Sequence, residues 1–592
     1  MSLRIGNCSG FYGDRLSAMR EMLQGGDLDV LTGDYLAELT MLILGRDRAK
    51  DPRAGYARTF LAQLKDCLAL ALDRNVKIVS NAGGVNPAGL VEAVNALGLD
   101  ARIALVRGDD LTARAAELGL SDGRTEHAGE LIGAHAYLGA FGIAEALEGG
   151  ADLVITGRVT DASLVVGPAI AHFGWERGDF DRLAGATVAG HLLECGTQST
   201  GGNYAFFTEI ADPLHPGFPI AEIEPDGSCV ITKHPGTGGA VTIGTVTAQL
   251  VYEIGDARYA GPDVTTRLDT VDLSAAGPDR VRVSRVRGEP PPPALKVSRT
   301  ALGGFRNELT VVLTGLDIDA KAALFRSQFE AAAPPAPAEV TWTLARLDRP
   351  DAGTEQQASA LLTVVARDAD EHVAGRAFVN PAIELALGSY PGFFATTPPG
   401  PAHPYGVFTA AFVPQTAVSH EVVRPDGQVV PIAPPATTRP LEPLTGQAPE
   451  PLTGRAPEPL TGAERPNADR WAGGAGGPTR RLPLGTIVGA RSGDKGGSAN
   501  VGLWVRGDDA YAWMAALLTE REIRALLPEA ADLPVTITYL PNLRAINVVI
   551  EGLLGAGVAY NARFDPQAKG LGEWLRSRLV DIPESLLKES AA

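Results

Sequence analysis

The first 200 residues alternate short apolar runs with amphipathic segments, and this alternation constrains the fold more than any other feature of the chain. It is typical of βα units around a parallel sheet. We therefore predict an α/β fold with a parallel-sheet domain over residues 1–200. Strands are expected at 3–8, 28–32, 76–80, 103–106 and 153–156, and helices at 60–72, 87–97, 128–147 and 161–173.

The pattern then changes, and Thr, Val and Ile dominate between Gly and Pro. Residues 201–423 are predicted to form an α+β domain rich in antiparallel strands, with one strand over 241–247. Residues 424–480 are predicted to be a Pro-rich linker, in which the sequence Pro-Leu-Thr-Gly recurs. Residues 481–592 are predicted to form a small ferredoxin-like α/β sandwich.

The charge balance excludes some classes of protein. Lys and Arg number 52 against 70 Asp and Glu, a net charge of −18, which argues against a protein that coats nucleic acid. The four Cys are too scattered for a disulfide framework or a CxxC metal site. No apolar run approaches the ~20 residues that span a bilayer, and the chain starts without an apolar leader. We therefore expect a cytoplasmic protein, a homo-oligomer without nucleic-acid or membrane partners.

Three polar, glycine-rich segments lie at predicted strand ends, at 6–15, 80–87 and 156–161. In open parallel sheets, ligands bind beyond the carboxyl ends of the strands, where glycine permits close approach and helix N-termini bind anions. No segment has the spacing of a dinucleotide or P-loop motif, so we assign no NAD, FAD or ATP. The alternative is ordinary βα turns, with Asp161 as a helix N-cap. The substrate-binding candidates are Asn7, Ser9, Asn81, Gly83, Gly84, Asn86, Gly157, Arg158 and Thr160.

The segment 191–203 places His191 and Glu194 on one face of a helix, with Cys195 at or just past its end. Glu194 or His191 would act as an acid or base, and Cys195 as a nucleophile or a buried thiol. A helix C-terminus does not lower the pKa of a thiol, which weakens the nucleophile. The alternative is a helix C-cap with satisfied polar side chains. Thr197, Gln198 and Asn203 are binding candidates in the same segment.

Other polar residues are candidates for the site, and each also has a purely structural interpretation. Asp34 and Glu38 stand four apart at the start of a predicted helix and share a face, either for acid/base work or to interact with the helix dipole. His234, on a glycine-rich loop, would orient substrate or transfer protons, or belong to an ordinary turn. Asp494 and Lys495, in the tail, would form a charged clamp for an anion, or belong to a flexible hairpin tip.

Together these segments resemble the acyclic terpene utilisation protein AtuA family over residues 3–423. The resemblance implies a part in the breakdown of citronellol- and geraniol-type terpenes, whose intermediates are branched acyl-CoA thioesters, so that coenzyme A would be part of the substrate. It carries over no catalytic residues. The tail around 491–496 is similar to the small ferredoxin-fold domain that accompanies this family. The motifs that carry the resemblance lie at 6–14, 33–38, 81–87, 156–162 and 194–203.

We therefore expect an enzyme of branched-chain or acyclic terpene catabolism. It would act on an acyl-CoA or another small anionic carboxylate by lyase- or hydratase-type acid/base chemistry, without nicotinamide or flavin. A non-catalytic ligand-binding or scaffold subunit of a catabolic complex is the alternative, and a metal-dependent enzyme finds no support in the spacing of the His residues. The expectation requires the distant segments to meet in one pocket. The catalytic candidates are Asp34, Glu38, Asp161, Glu194 and Cys195.

Overall fold

The computed structural model describes residues 2–121, 129, 131–332, 335–441 and 477–589. The strands are β1 Leu3–Asn7, β2 Val30–Gly33, β3 Lys77–Ser80, β4 Ile103–Arg107, β5 Leu131–Ala136, β6 Leu153–Thr156, β7 Pro219–Ile223, β8 Cys229–Lys233, β9 Arg258–Ala260, β10 Thr265–Arg267, β11 Asp272–Ala275, β12 Val281–Ser284, β13 Arg287–Glu289, β14 Ala294–Thr314, β15 Glu339–Ala345, β16 Ser359–Asp368, β17 Phe394–Ala395, β18 His403–Pro414, β19 Glu421–Val423, β20 Val429–Pro431, β21 Thr479–Pro483, β22 Gly489–Lys495, β23 Ser498–Trp504, β24 Val535–Leu540, β25 Ala545–Ile550 and β26 Leu579–Pro583. The helices are α1 Ala18–Gly25, α2 Glu38–Lys50, α3 Arg58–Asp73, α4 Pro87–Asn95, α5 Phe141–Glu148, α6 Ser163–Phe173, α7 Phe180–Glu194, α8 Ile243–Leu250, α9 Ile318–Ala332, α10 Phe378–Glu384, α11 Asp508–Leu517, α12 Glu520–Leu526, α13 Leu571–Ser577 and α14 Glu584–Glu589.

Eleven strands form the main sheet, in the order β11-β12-β8-β7-β1-β2-β3-β6-β4-β19-β20. The central strands β1-β2-β3-β6-β4 run parallel, and their apolar side chains are buried on both faces. Helices α1, α3 and α4 cover one face, and α5, α6 and α7 cover the other. Since such strands need cover on both faces, this layering confirms the predicted α/β fold. The carboxyl ends of the parallel strands meet at one edge of the sheet.

A second, six-stranded sheet is built on the long strand β14. Strands β5 and β18 pair with its first half, and β16 and β17 pair with its second half, all antiparallel. The residues that follow β5 join the two sheets, because Tyr137 N donates to Lys296 O at 3.0 Å and Leu138 forms a β-bridge with Val159. Strand β14 therefore lies beside the loop that follows β6.

The tail is a separate small sandwich. Its antiparallel sheet has the order β22-β23-β25-β24, and helices α11, α12 and α13 pack on it. Met514, Ile523 and Leu575 are fully buried in this layer. The sheet and helices together confirm the predicted small α/β sandwich.

Two stretches differ from their predicted secondary structure. Residues 241–247 were expected as a strand, but α8 starts there, because Thr242 and Thr245 form a capping box. In it, Thr245 N donates to Thr242 Oγ1 at 3.1 Å, and Thr242 N donates to Thr245 Oγ1 at 2.9 Å. The helix expected over 128–147 is strand β5 followed by α5, because β5 pairs with the distant β14. Capping and long-range pairing outweigh local propensity in both places.

The four domain ranges remain a prediction about folding units. The main sheet takes strands from both sides of residue 200, and β20 lies within the range expected as a linker. The Pro-Leu-Thr-Gly repeats lie outside the described residues.

Candidate functional site

The loops that follow β1, β2 and β3 are joined by hydrogen bonds at the carboxyl edge of the main sheet. Asp34 N donates to Ser9 O at 3.0 Å. The Asn81 amide donates to Asp34 Oδ1 at 2.7 Å, and its own Oδ1 accepts from Tyr35 N at 2.9 Å. Asp34 and Asn81 are almost completely buried. The first and second glycine-rich segments therefore converge on Asp34.

Arg158, in the loop after β6, brings a buried cation to the same place. Its Nη1 donates to Asp161 Oδ1 at 3.0 Å and to Leu36 O at 3.4 Å. Its guanidinium lies 4.3 Å from the centre of the Tyr137 ring, a cation–π contact. Helix α6 starts at Ser163, so Asp161 is not the N-cap that the sequence left open, and its carboxylate is available to Arg158.

Two acids in this part of the site, Asp34 and Asp161, have raised pKa values. Burial and the neighbouring Asp161 charge raise the pKa of Asp34 well above its ordinary value. Burial also raises the pKa of Asp161, against the lowering effect of Arg158. Two carboxyl groups that share one site cannot both ionise easily.

Helix α7 ends at this cluster with an acid–base pair. His191 and Glu194 share a helix face as expected, with 2.8 Å between His191 Nδ1 and Glu194 Oε1. A Cβ on Gly190 would lie 2.7 Å from the Ala162 Cα atom, so only glycine lets α7 pack this closely on the Arg158 loop. Among the described residues, Glu194 Oε2 and His191 Nε2 are buried without a hydrogen-bond partner. The pair therefore has unused polar atoms inside the protein.

Glu194 titrates in the neutral range. Burial raises its pKa to about 7, against the opposing charge of His191, and Asp161 raises it further. Burial opposes protonation of His191, but the Glu194 carboxylate raises the pKa of His191. A carboxyl group with a pKa near 7 can both give and take a proton at neutral pH.

Cys195 lies just past the end of α7, as predicted, but its environment disfavours a thiolate. Burial and the charge of Glu194 raise the pKa of the thiol well above its ordinary value. The thiol is therefore neutral near pH 7, which argues against a nucleophile. In the 3₁₀ turn that follows, Gln198 Oε1 is buried without a partner among the described residues, whereas Thr197 O accepts from Gly202 N at 2.8 Å.

The second sheet adds one charged side chain that the sequence analysis missed. Lys296, on β14, places its Nζ atom 4.8 Å from the centre of the same Tyr137 ring that Arg158 contacts. Burial opposes ionisation of Glu38, but Lys296 and Arg158 lower its pKa. Glu38 is the first residue of α2, so Asp34 precedes the helix and the two do not share a helical face as predicted. No local pattern around Lys296 points to this site.

The tail sandwich docks on the residues that follow α8. A Cβ on Gly493 would lie 2.7 Å from the Tyr252 ring, and one on Gly502 would lie 2.4 Å from Val251 O. Asn500 Oδ1 accepts from Glu253 N at 2.7 Å. These contacts bring the hairpin of β22 and β23 against the main body of the protein.

Docking places Asp494 and Lys495 beside the other charges. Lys495 Nζ donates to Glu253 O at 3.1 Å, and Lys569 Nζ lies 3.4 Å from Asp494 Oδ1 and 3.2 Å from Glu253 Oε1. The surrounding protein and the charge of Lys296 lower the pKa of Lys495. Burial raises the pKa of Asp494, against Lys569. The docked tail therefore adds Asp494, Lys495 and Lys569 to the charged groups around Glu253.

Several predicted binding residues lie in the converging loops, where their hydrogen bonds and close packing stabilise the loops themselves. Asn7 Oδ1 accepts from Ser9 N at 2.8 Å, and its amide donates to Leu193 O. Thr160 Oγ1 is 2.5 Å from Ser163 Oγ. Gly83, Gly84 and Gly157 each sit where a Cβ would collide with a neighbour, and Asn203 O lies 3.5 Å from Arg491 Nη1.

Two candidates lie apart from the charged cluster. Asn86 is the N-cap of α4: its Oδ1 accepts from Gly89 N at 3.1 Å and its amide donates to Ala54 O at 2.8 Å. His234 packs against the end of α1, with Nε2 3.0 Å from Met22 O. Their assignment to substrate binding is therefore without geometric support.

The described residues hold neither a metal-binding cluster nor a membrane-spanning helix. Within them, no group of three or more His, Cys, Asp and Glu side chains is arranged to hold a metal ion. In the same part of the chain, no helix is both long and apolar enough to cross a membrane.

The site makes stability depend on pH. Glu194 binds its proton more tightly in the folded protein than its ordinary pKa of 4.5 allows, so folding stability falls as pH rises from 4.5 through about 7. The loss amounts to up to about 3 kcal/mol. Glu194→Gln should therefore have a flatter dependence and unfold at a higher temperature than the native protein at pH 8. Thermal unfolding between pH 5.5 and 8 measures this, and parallel curves for the two proteins would contradict it.

Docking of the tail can be tested at one glycine. Gly502→Val should push the tail sandwich away from Val251, because overpacking of a tight contact costs about 1–3 kcal/mol. Hydrogen exchange should then speed up over residues 251–255 while the sandwich core stays protected. Gly353→Val is the control, since nothing lies within 4 Å of that position. Unchanged exchange in Gly502→Val would show that the contact does not hold the tail in place.

These features define a multidomain α/β protein whose acid–base cluster draws on the main sheet, the second sheet and the tail. Residues 3–424 match the family described as acyclic terpene utilisation family protein AtuA, and residues 482–581 match the AtuA ferredoxin-like domain. The chain belongs to the AtuA family, which confirms the resemblance drawn from its motifs and implies involvement in acyclic terpene utilisation. No curated protein matches the chain.

Proposed function

We propose that the protein is an acid/base enzyme that acts on a branched carboxylate or acyl-CoA by lyase- or hydratase-type chemistry. The proposal rests on the environment of Glu194. This residue has a pKa of about 7, and its Oε2 atom is buried without a hydrogen-bond partner among the described residues, near Asp34, Asp161 and Arg158. Addition or removal of water next to a carbonyl group needs one group that gives a proton and another that takes one. Glu194 and the carboxyl cluster are two such groups.

Cations around the acids suit a substrate that carries or develops negative charge. Arg158 comes from the main sheet, Lys296 from the second sheet and Lys495 from the tail. Such groups stabilise a carboxylate or the enolate oxygen that forms when a proton leaves the neighbouring carbon. This chemistry uses no nicotinamide or flavin, and coenzyme A would enter as part of the substrate. Family membership supports branched, terpene-derived acyl groups as the substrate class.

A ligand screen with product analysis tests the proposal. The protein is heated with citronelloyl-CoA, geranoyl-CoA, citronellate or geranate, and each compound that raises the unfolding temperature is then incubated with it and analysed by mass spectrometry. We expect stabilisation by at least one compound, with gain or loss of water or cleavage of its carbon skeleton. Stabilisation without any change in the ligand would support the alternative, a non-catalytic binding or scaffold subunit.

We further propose that the protein is a cytoplasmic homo-oligomer. Light scattering after gel filtration measures the oligomeric state, and a mass equal to the chain's 61.8 kDa would contradict a homo-oligomer. Cell fractionation measures the location, and recovery outside the cytoplasmic fraction would contradict a cytoplasmic protein.

A further inference from the structure

Tyr137 lies where the two large sheets meet. Its N atom donates to Lys296 O at 3.0 Å, on β14 of the second sheet. The N atom of the next residue, Leu138, donates to Arg158 O at 3.3 Å, in the loop that follows β6 of the main sheet. Tyr137 is only 7% exposed. Backbone hydrogen bonds therefore place one buried aromatic residue between two residues that carry positive charge.

The ring of Tyr137 contacts both cations. The Arg158 guanidinium lies 4.3 Å from the ring centre, and Lys296 Nζ lies 4.8 Å from it. Both distances are within the ~6 Å range of a cation–π contact. Two like charges in one small region repel one another, and the attraction of each to the ring offsets part of that repulsion. The ring therefore lets cations from different sheets share one place.

Both cations have donor atoms that the described residues do not use. Among these residues, the hydrogen bonds of the Arg158 guanidinium all involve Nη1, so Nε and Nη2 have no partner there. In the same part of the chain, Lys296 Nζ makes neither a hydrogen bond nor an ion pair. Lys296 is also exposed, so its ammonium group can be reached from solvent. Such donors can bind the oxygen atoms of an anionic ligand.

We infer that Arg158 and Lys296 form a subsite for the negatively charged oxygen of the substrate's acyl group, and that Tyr137 is its positioning residue. Arg158 binds with the forked N–H groups of Nε and Nη2, and Lys296 adds a second charge. The oxygen belongs either to the carboxylate of a branched acid or to a thioester carbonyl, which becomes negative in an enolate. The inference deepens the proposed function, on which it rests, because it states where the acyl group binds.

The subsite lies beside a catalytic candidate. Arg158 Nη1 donates to Asp161 Oδ1 at 3.0 Å. The guanidinium group is small and planar, so an acyl oxygen bound at its Nε–Nη2 edge lies in the same region as the Asp161 carboxyl group. The carbon next to the acyl group, from which the proposed chemistry removes a proton, is thereby brought towards an acid/base group.

The hydroxyl group of Tyr137 has a separate contact. It donates to Glu38 Oε1 at 3.4 Å, at the start of α2. At this distance the hydrogen bond is weak, so loss of the hydroxyl group should have a small effect. The ring and the hydroxyl group can therefore be tested separately, because Tyr137→Phe keeps the ring and Tyr137→Leu removes it.

NMR of the protein with isotopically labelled, dimethylated lysines tests the inference, since dimethylation keeps the positive charge. The Lys296 signal is identified by its absence from Lys296→Arg. We expect the aromatic ring to shift this signal in the native protein and in Tyr137→Phe, but not in Tyr137→Leu. Geranate or geranoyl-CoA should then shift it further in the native protein. A shift by geranate alone identifies the carboxylate as the bound group, and a shift by geranoyl-CoA alone identifies the thioester. A shift by free coenzyme A would assign the cations to its phosphates and overturn the acyl subsite.

Binding affinity, measured by calorimetry, gives a second readout. Tyr137→Leu should bind geranate or geranoyl-CoA about tenfold more weakly than the native protein, because both cations lose their ring. Tyr137→Phe should bind as the native protein does, which a merely structural role of the hydroxyl group would not allow. Trp342→Leu is the control for loss of a ring that contacts a cation, because Trp342, on β15, lies 5.7 Å from the Arg326 guanidinium. It should leave the affinity unchanged.

The outcomes separate this inference from the proposed function. If calorimetry detects binding but the Lys296 signal does not move, the subsite is overturned while the acid/base proposal stands. Native affinity in Tyr137→Leu overturns the positioning role of the ring. If neither compound binds the native protein, the inference fails together with the proposed substrate class. The ligand-induced shift in the native protein needs no variant of Tyr137, so the inference stays testable even if Tyr137→Leu does not fold.

Discussion

Glu194→Gln should lower turnover of the terpene-derived acyl-CoA by about 10³-fold, within the range that a general acid or base contributes. Gln keeps the shape of the side chain and can still contact His191, but it cannot give or take a proton at neutral pH. Binding should therefore persist while the chemical step fails. Steady-state kinetics on citronelloyl-CoA or geranoyl-CoA, with affinity measured by calorimetry, separates the two effects.

The pH dependence of turnover tests the same assignment of Glu194. In the native protein, turnover should depend on a group with a pKa of about 7, and this dependence should disappear from any residual activity of Glu194→Gln. Glu92→Gln, at an exposed position on α4, should behave like the native protein. Cys195→Ser should retain most activity, since the neutral thiol is not expected to attack. A variant lacking Glu194 that works at the native rate would remove Glu194 from the chemistry.

Arg158→Met should weaken binding of geranate or its CoA ester by about 10²-fold, because a charge-assisted, partly desolvated contact to the anion is lost. It should also destabilise the fold by about 3 kcal/mol, since Asp161 is left without its buried partner. Isothermal calorimetry measures the first effect and denaturant unfolding the second.

Two variants control for these effects. Arg158→Lys keeps the charge but not the forked geometry, so its affinity should fall between those of the native protein and Arg158→Met. Arg481→Met breaks an exposed ion pair with Asp581 and should change neither binding nor stability measurably. Native affinity in a folded Arg158→Met protein would show that the anion binds elsewhere.

The sequence could locate the centre of the site because parallel strands obey a simple rule. Ligands bind beyond their carboxyl ends, and polar residues that follow such strands come together at one edge. Asp34, Asn81 and Arg158 follow three neighbouring strands of the main sheet and do converge. His191 and Glu194 could be paired from their helical spacing alone.

The rest depends on contacts between distant parts of the chain. Lys296 reaches the site because β14 pairs with β5, and no local sequence pattern predicts that pairing. Glu253 enters the site with the residues that follow α8, and the β-branched composition of α8 itself predicted a strand. Asn86 was misleading for the opposite reason: polar side chains in glycine-rich loops also cap helices, and a single sequence does not distinguish caps from ligands.

Proton transfer at a substrate carbon, which we propose these groups perform, can be followed with heavy water. The native protein is incubated in it with geranoyl-CoA or citronelloyl-CoA. We expect mass spectrometry to find solvent deuterium in a carbon position of the recovered acyl group or its product, and Glu194→Gln to suppress this incorporation. If the native protein binds the thioester but the acyl group stays free of deuterium and chemically unchanged, the acid/base account is contradicted.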